Sequence, residues 1–193
     1  MIAALYVQTG GVYFDLDGVD PWDEARDARS YPGPFPVIAH PPCARWCRLA
    51  AVNESRYGHK IGDDGGCFAS ALAAVRKWGG VIEHPAFTLA WKRHGLLRPT
   101  AGLWTRSLFD VGWVASVYQR NYGHPANKRT WLYYVGDTLP PALDWSAPDP
   151  PLAWISSHRP RAEIQHVRQL SKKEASASPV AFRDLLISMA RSA

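Results

Sequence analysis

The sequence predicts a single α/β domain built on a small, open, mostly parallel sheet. Three observations carry this expectation. The 193 residues suffice for one domain with a real core and are few for two. Short apolar segments alternate with segments of helical period. Several of the apolar segments end in polar or proline-rich turns, the edge at which open α/β sheets bind ligands.

Taken in order, Ile2 to Val7 reads as a buried strand ending in Gln8-Thr9-Gly10-Gly11. Residues 19–31 offer Asp20 as an N-cap and Pro21 at the first helical position, and predict a short helix. Val37-Ile38-Ala39 is a short strand that runs directly into His40-Pro41-Pro42-Cys43. Two successive prolines fix φ and remove two backbone donors, so the chain leaves the sheet in a stiff, extended form that presents a thiol. Residues 44–52 suit one or two helical turns, and Asn53 to Gly66 reads as a mobile polar loop.

Cys67 to Trp78 is the clearest helix. Phe68, Leu72 and Val75 share one face, and Gly79-Gly80 supplies the stop. Strands are expected at Val81–Pro85, at 113–119 and at 129–136, the last two joined by the turn at 121–128. Residues 137–160 form a proline-rich wrap. A closing helix near 178–191 has Ser178 as N-cap and Pro179 at its first position, with Phe182, Leu185, Leu186 and Met189 on one face. The whole chain, 1–193, is read as one domain of five or six strands, with the strands at 2–7, 37–39 and 81–84 adjacent and parallel.

Composition narrows the partners. The net charge of +5 and a pI near 9.2 suit a polyanion. Basic residues are spread over Arg45, Arg48 and Arg56, then Lys92, Arg93 and Arg98, then Lys128 and Arg129, then residues 159–173. Trp46, Trp91 and Trp131 are candidate stacking surfaces for an unpaired base. No apolar run approaches the roughly 18 residues of a membrane span, so no membrane partner is expected. Three cysteines, an odd number, argue against a disulfide scaffold. With no secretory leader in the opening residues, the expected location is cytoplasmic.

Four segments in order resemble the DNA cytosine-C5 methyltransferases: "ALYVQTGG" (4–11), "AHPPCARW" (39–46), "VIEHP" (81–85) and "RNYGHPANKRTWLYYVG" (120–136). They look like the family's Gly-rich opening, its Pro-Pro-Cys turn, its glutamate strand and its Tyr-Gly turn with the strand that follows. The resemblance implies a small Rossmann-like (methyltransferase-like) fold and S-adenosylmethionine as cofactor. Gly10, Gly11 and Asp20 would hold the cofactor, with Asp15 and Asp17 as other candidates for the ribose acid. Cys43 would be the nucleophile that adds to C6 of the base, and Glu83 the acid at N3. His40, Pro42, Arg45, His84, Tyr122, Lys128 and Arg129 would line the substrate. A dry pocket would raise the Glu83 pKa, while His40, Arg45 and Arg48 would lower that of the Cys43 thiol.

About 31 residues separate Gly11 from Cys43, too few for two full βα units, so the cofactor motif is truncated. About 40 residues separate Gly136 from Ser178, which leaves no room for the family's target-recognition domain. The expected partner is therefore a nucleic acid as a single strand or flipped base, or a free pyrimidine nucleotide. Two other classes remain open. His40, Cys43, Cys47, His59, Cys67 and His84 could contribute to a zinc site. Alternatively, a methyltransferase-like module could bind nucleic acid or protein without turnover.

Overall fold

The computed structural model describes residues 1–47, 50–155 and 167–193. Strands β1 (Ile2–Leu5), β2 (Val19–Trp22), β3 (Val37–Ala39), β4 (Gly80–Pro85), β5 (Thr105–Arg106), β6 (Trp113–Tyr118) and β7 (Arg129–Val135) form one sheet among the described residues, in the order β2-β1-β3-β4-β7-β6-β5. The first four run parallel, and the pairs β4–β7, β7–β6 and β6–β5 are antiparallel. The sheet is thus mixed and seven-stranded, where a mostly parallel sheet of five or six strands was expected. Residues 119–128 explain much of the difference. Their connection from β6 to β7 is too short for a parallel crossover, so the chain returns as a hairpin. The expected adjacency of the strands carrying the Gly-rich turn, Cys43 and Glu83 is present: β1 pairs with β3, and β3 with β4, all parallel.

Residues 19–22 are an edge strand and not the start of a helix. An edge tolerates Pro21, whose missing donor would interrupt a central ladder. Asp20 caps nothing; its carboxylate accepts from the Trp22 indole and from Arg26.

Helix α1 (Ala50–Tyr57) takes up the first part of the segment that reads as a mobile loop. The end of that segment is pinned by Asp64, which accepts from Trp46 Nε1 at 2.8 Å and from the Phe68 and Gly66 amides. Helix α2 (Cys67–Trp78) matches its predicted span; Phe68, Ala71, Leu72 and Val75 are buried, and the Gly79 amide closes the last turn on the Val75 carbonyl. A short α3 (Leu89–Arg93) is capped by Thr88, and α4 (Lys172–Ser176) by a Ser171–Glu174 capping box. The closing helix α5 (Val180–Arg191) begins one residue later than expected, with Pro179 and not Ser178 at the N-cap. Its buried side chains are Phe182, Leu186, Ile187, Met189 and Ala190, with Leu185 only partly covered.

Strand alternation sorts the core into two layers. Leu5, Val37, Ala39, Ile82 and Tyr133 face α2, whereas Ile2, Ala4, Ile38, Val81 and Leu132 face α5. Trp46, Trp91 and Trp131 belong to the α2 layer at 2–5% exposure, with Trp91 and Trp131 ring centroids 5.7 Å apart. They are core, so none is a stacking surface for a base. The described part of the proline-rich wrap is irregular apart from a bridge between Trp154 and Gln169, and it buries Leu143 and Ala153. The wrap's last residues, 156–160, lie outside the described residues, as does Arg48. Among the described residues no helix is long and apolar enough to cross a membrane.

Candidate active site at the ends of β3 and β4

The β3–β4 register pairs Ala39 with Ile82, so the next residues along, His40 and Glu83, emerge side by side. Both lie on the α5 face, by the same alternation that places Ile38 and Val81 there. His40 Nδ1 is 3.0 Å from Glu83 Oε2, and His40 Nε2 is 2.9 Å from the Tyr13 hydroxyl. Glu83 Oε1 accepts from Gln119 Nε2 at 3.1 Å and from the Thr130 hydroxyl at 3.3 Å. Gln119 Nε2 also donates to the Thr130 oxygen at 2.9 Å. Tyr13, Glu83, Gln119 and Thr130 are buried, while His40 keeps some exposure.

Glu83 is held as a carboxylate. Burial by itself raises its pKa. The His40 hydrogen bond and the Lys128 charge outweigh that penalty and bring it down to about 2. This reverses the expectation of a raised acid. The donors gathered around the group favour its charged form, a feature that Glu-His-Pro in the sequence does not reveal.

Cys43 leaves the same end of the sheet on the Pro41-Pro42 turn and is exposed as a residue. Protein around the sulfur displaces water and, with the negative Glu83 and the neighbouring Cys47, raises the thiol pKa; Lys128 acts in the opposite sense. The expected depression by neighbouring cations is therefore not present. Arg48 is outside the described residues. Lys128 is the cation whose field reaches both Cys43 and Glu83. Lys128→Ala is expected to raise the thiol pKa further and slow alkylation of Cys43 severalfold at pH 8, measured by iodoacetamide labelling and peptide mapping.

Other predicted substrate contacts are placed elsewhere. His84 points to the α2 face, 1% exposed and edge-on to Phe68 at 5.3 Å. Tyr122 packs on Phe182, and its hydroxyl accepts from the Asp144 amide in the wrap. Arg129 donates to the Ser116 hydroxyl and lies over the Phe87 and Tyr118 rings. Pro42 is exposed on the Cys43 turn, and Arg45 is partly buried, its carbonyl accepting from the Gly62 amide. The sequence pattern does not single out Tyr13, Gln119 or Thr130. Each is an ordinary core or strand-end residue by pattern, and only the fold brings them to Glu83.

Two buried groups give the protein a defined acid response. Desolvation lowers His84 from 6.5 to about 4, so the folded state resists binding a proton that the unfolded chain takes up. Its contribution is complete above pH 6.5 and is lost as pH falls towards 4, about 3 kcal/mol in all. Glu83, depressed from 4.5 to about 2, loses its contribution in the next window down. Urea unfolding of His84→Phe should show the slope between pH 6.5 and 4 reduced, His94 and His124 keeping the remainder, with the lower window retained.

The cofactor residues do not form the cradle that S-adenosylmethionine requires. The turn after β1 closes on itself, the Gly11 amide donating to the Gln8 carbonyl, and residues 6–18 reach β2 without a helix whose N-terminus could face an anion. A Cβ at Gly10 would meet nothing within 4 Å, so that glycine serves its positive φ and not a close approach. Asp20 is engaged by Trp22 and Arg26. The acid at the end of β2 is instead Asp23, which accepts from the Thr9 hydroxyl at 2.7 Å. Neither do the candidate zinc ligands assemble: among the described residues no three His, Cys, Asp or Glu side chains group as a metal site. His84 and Glu83 lie on opposite faces of the sheet.

No protein-family model, no curated protein and no solved structure matches the chain.

Proposed function

We propose that the chain is a pyrimidine-modifying enzyme of the cytosine-C5 methyltransferase type, in which Cys43 adds covalently to C6 of the base. The observation that carries this reading is the arrival of Cys43 and Glu83 at one sheet edge from adjacent parallel strands, with Lys128 acting on both. Strand order supports a Rossmann-like reading of the parallel half. From β1 the chain passes to β2 on one side and then to β3 on the other, a reversal of the kind that marks ligand crevices in open α/β sheets.

At rest the thiol holds its proton and Glu83 is ionised. Addition joins sulfur to C6, and the ring electrons move towards C5 and the C4 substituent. The thiol proton passes to solvent as the bond forms, and the Lys128 charge favours the thiolate. C5 then takes a proton from solvent, loses its original hydrogen, and expels Cys43. This cycle exchanges the C5 hydrogen and consumes no co-reactant, so it is independent of any methyl donor. The experiment is incubation of a pyrimidine oligonucleotide in D2O. C5 deuterium should accumulate with the wild-type chain and not with Cys43→Ser; equal exchange by both would overturn the reading.

A single strand, a flipped base or a free pyrimidine nucleotide is the proposed partner. Single-stranded oligonucleotide is expected to bind more tightly than matched duplex, with a steep loss on adding salt. Because Arg129 is held by Ser116 and two rings, Lys128→Ala alone should flatten the salt slope by about one unit, and adding Arg129→Ala should change it little. The helix-free turn after β1 favours a second reading, a module that binds nucleic acid without turnover. Tight binding with no C5 exchange would select it.

A further inference from the structure

We propose that Tyr13 sets the substrate class: by fixing the tautomer of His40 it keeps Glu83 a pure acceptor, so the site takes a base that presents a donor at ring N3, a uracil-class base, in preference to cytosine. The inference rests on the covalent Cys43 reading and names its substrate.

The hydrogen bonds leave little freedom. Among the described residues the Tyr13 hydroxyl has His40 Nε2 as its partner, at 2.9 Å. Burial and the Glu83 charge push its phenol well above the ordinary range, so it stays a donor. If the phenol donates to Nε2, the proton of a neutral imidazole must sit on Nδ1, which faces Glu83 Oε2 at 3.0 Å. On the other oxygen, both hydrogens of Gln119 Nε2 are used, one on Glu83 and one on Thr130, and the Thr130 hydroxyl hydrogen then falls to Glu83.

Three donors therefore converge on the carboxylate and favour its charged form. A carboxylate offers about four acceptor positions. In that charged form the one left over accepts. Gln119 Oε1, on the same amide, is buried with no hydrogen-bond partner among the described residues.

Neutral cytosine brings a lone pair at N3 against these acceptors. A uracil-class base brings N3–H, and its O4, where charge gathers as sulfur adds at C6, suits the Lys128 cation. Activation of cytosine at N3 needs a carboxylic acid, and this network withholds one. His40 and Tyr13 act through Glu83 and are positioning residues.

The test is the C5 deuterium exchange assay on two oligonucleotides differing by one base, deoxyuridine or deoxycytidine, with the full chain and with Tyr13→Phe. The wild type is expected to exchange deoxyuridine about tenfold faster or more, the ratio set by one mispaired buried polar contact. In Tyr13→Phe, which keeps the ring and the packing, the preference should shrink. The 15N spectrum of His40 should move from protonated Nδ1 with bare Nε2 towards protonated Nε2. Faster exchange of deoxycytidine by the wild type overturns this proposal and leaves the Cys43 reading standing. Exchange of neither base overturns that reading and this one with it. An unchanged ratio with unchanged His40 shifts in Tyr13→Phe overturns the role of Tyr13.

Discussion

Glu83→Ala is expected to cost the fold about 3–5 kcal/mol and to abolish C5 exchange. Removing the carboxylate leaves the donors on His40, Gln119 and Thr130 without their acceptor and the Lys128 charge without its counter-charge, all around a site that water reaches poorly. Glu83→Gln separates the two effects. An amide of the same shape can satisfy some of these donors, so most of the stability should return, while the negative charge and the exchange should not. Urea unfolding and the D2O assay on both variants check this. Full activity in Glu83→Gln would show that the charge plays no part.

Gly80→Ala should be nearly as damaging, although the residue is far from the chemistry. Gly80 has φ +115°, where L side chains rarely sit, and a Cβ there would lie 1.9 Å from the Val37 carbonyl oxygen of β3. The clash falls on backbone at the start of the β3–β4 ladder, so the two strands must separate or slip. Since these strands deliver Cys43 and Glu83 to the same edge, the expected result is a loss of several kcal/mol together with the loss of exchange. A thermal melt close to that of the wild type would mean that the ladder tolerates the side chain.

Local chemistry in the sequence reached the elements with strong patterns. The α2 span follows from the face of Phe68, Leu72 and Val75 and from the paired glycines, and the strands at 2–5, 37–39, 80–85, 113–118 and 129–135 were legible as apolar runs. Residues 19–22 were not, because Asp-Pro is a helix-start signal locally and an edge-strand sequence only once β1 is beside it. The antiparallel half was hidden for a similar reason: pairing direction depends on which strands the connections allow to meet.

The same division holds for the site. Cys43 on its double proline and Glu83 at a strand end were visible as motifs. Their protonation was not, since it depends on Tyr13, Gln119, Thr130 and Lys128, which lie far from Glu83 in the chain and come to it only through the sheet. His84 misleads for a simple reason. It is adjacent to Glu83 in sequence, and in a strand adjacent residues face opposite sides.

The most direct test of the central claim is mass spectrometry of the intact chain after incubation with a single-stranded oligonucleotide bearing one 5-fluoropyrimidine. The electron-withdrawing fluorine favours addition at C6, and an acid quench that leaves C5 protonated blocks the base-dependent expulsion of Cys43, so the adduct is kept for mass measurement. The expected result is a one-to-one covalent complex whose modified peptide carries the base on Cys43, and no complex with Cys43→Ser. A complex mapped to Cys47 or Cys67, or formed equally by Cys43→Ser, or no complex at all, would contradict the account.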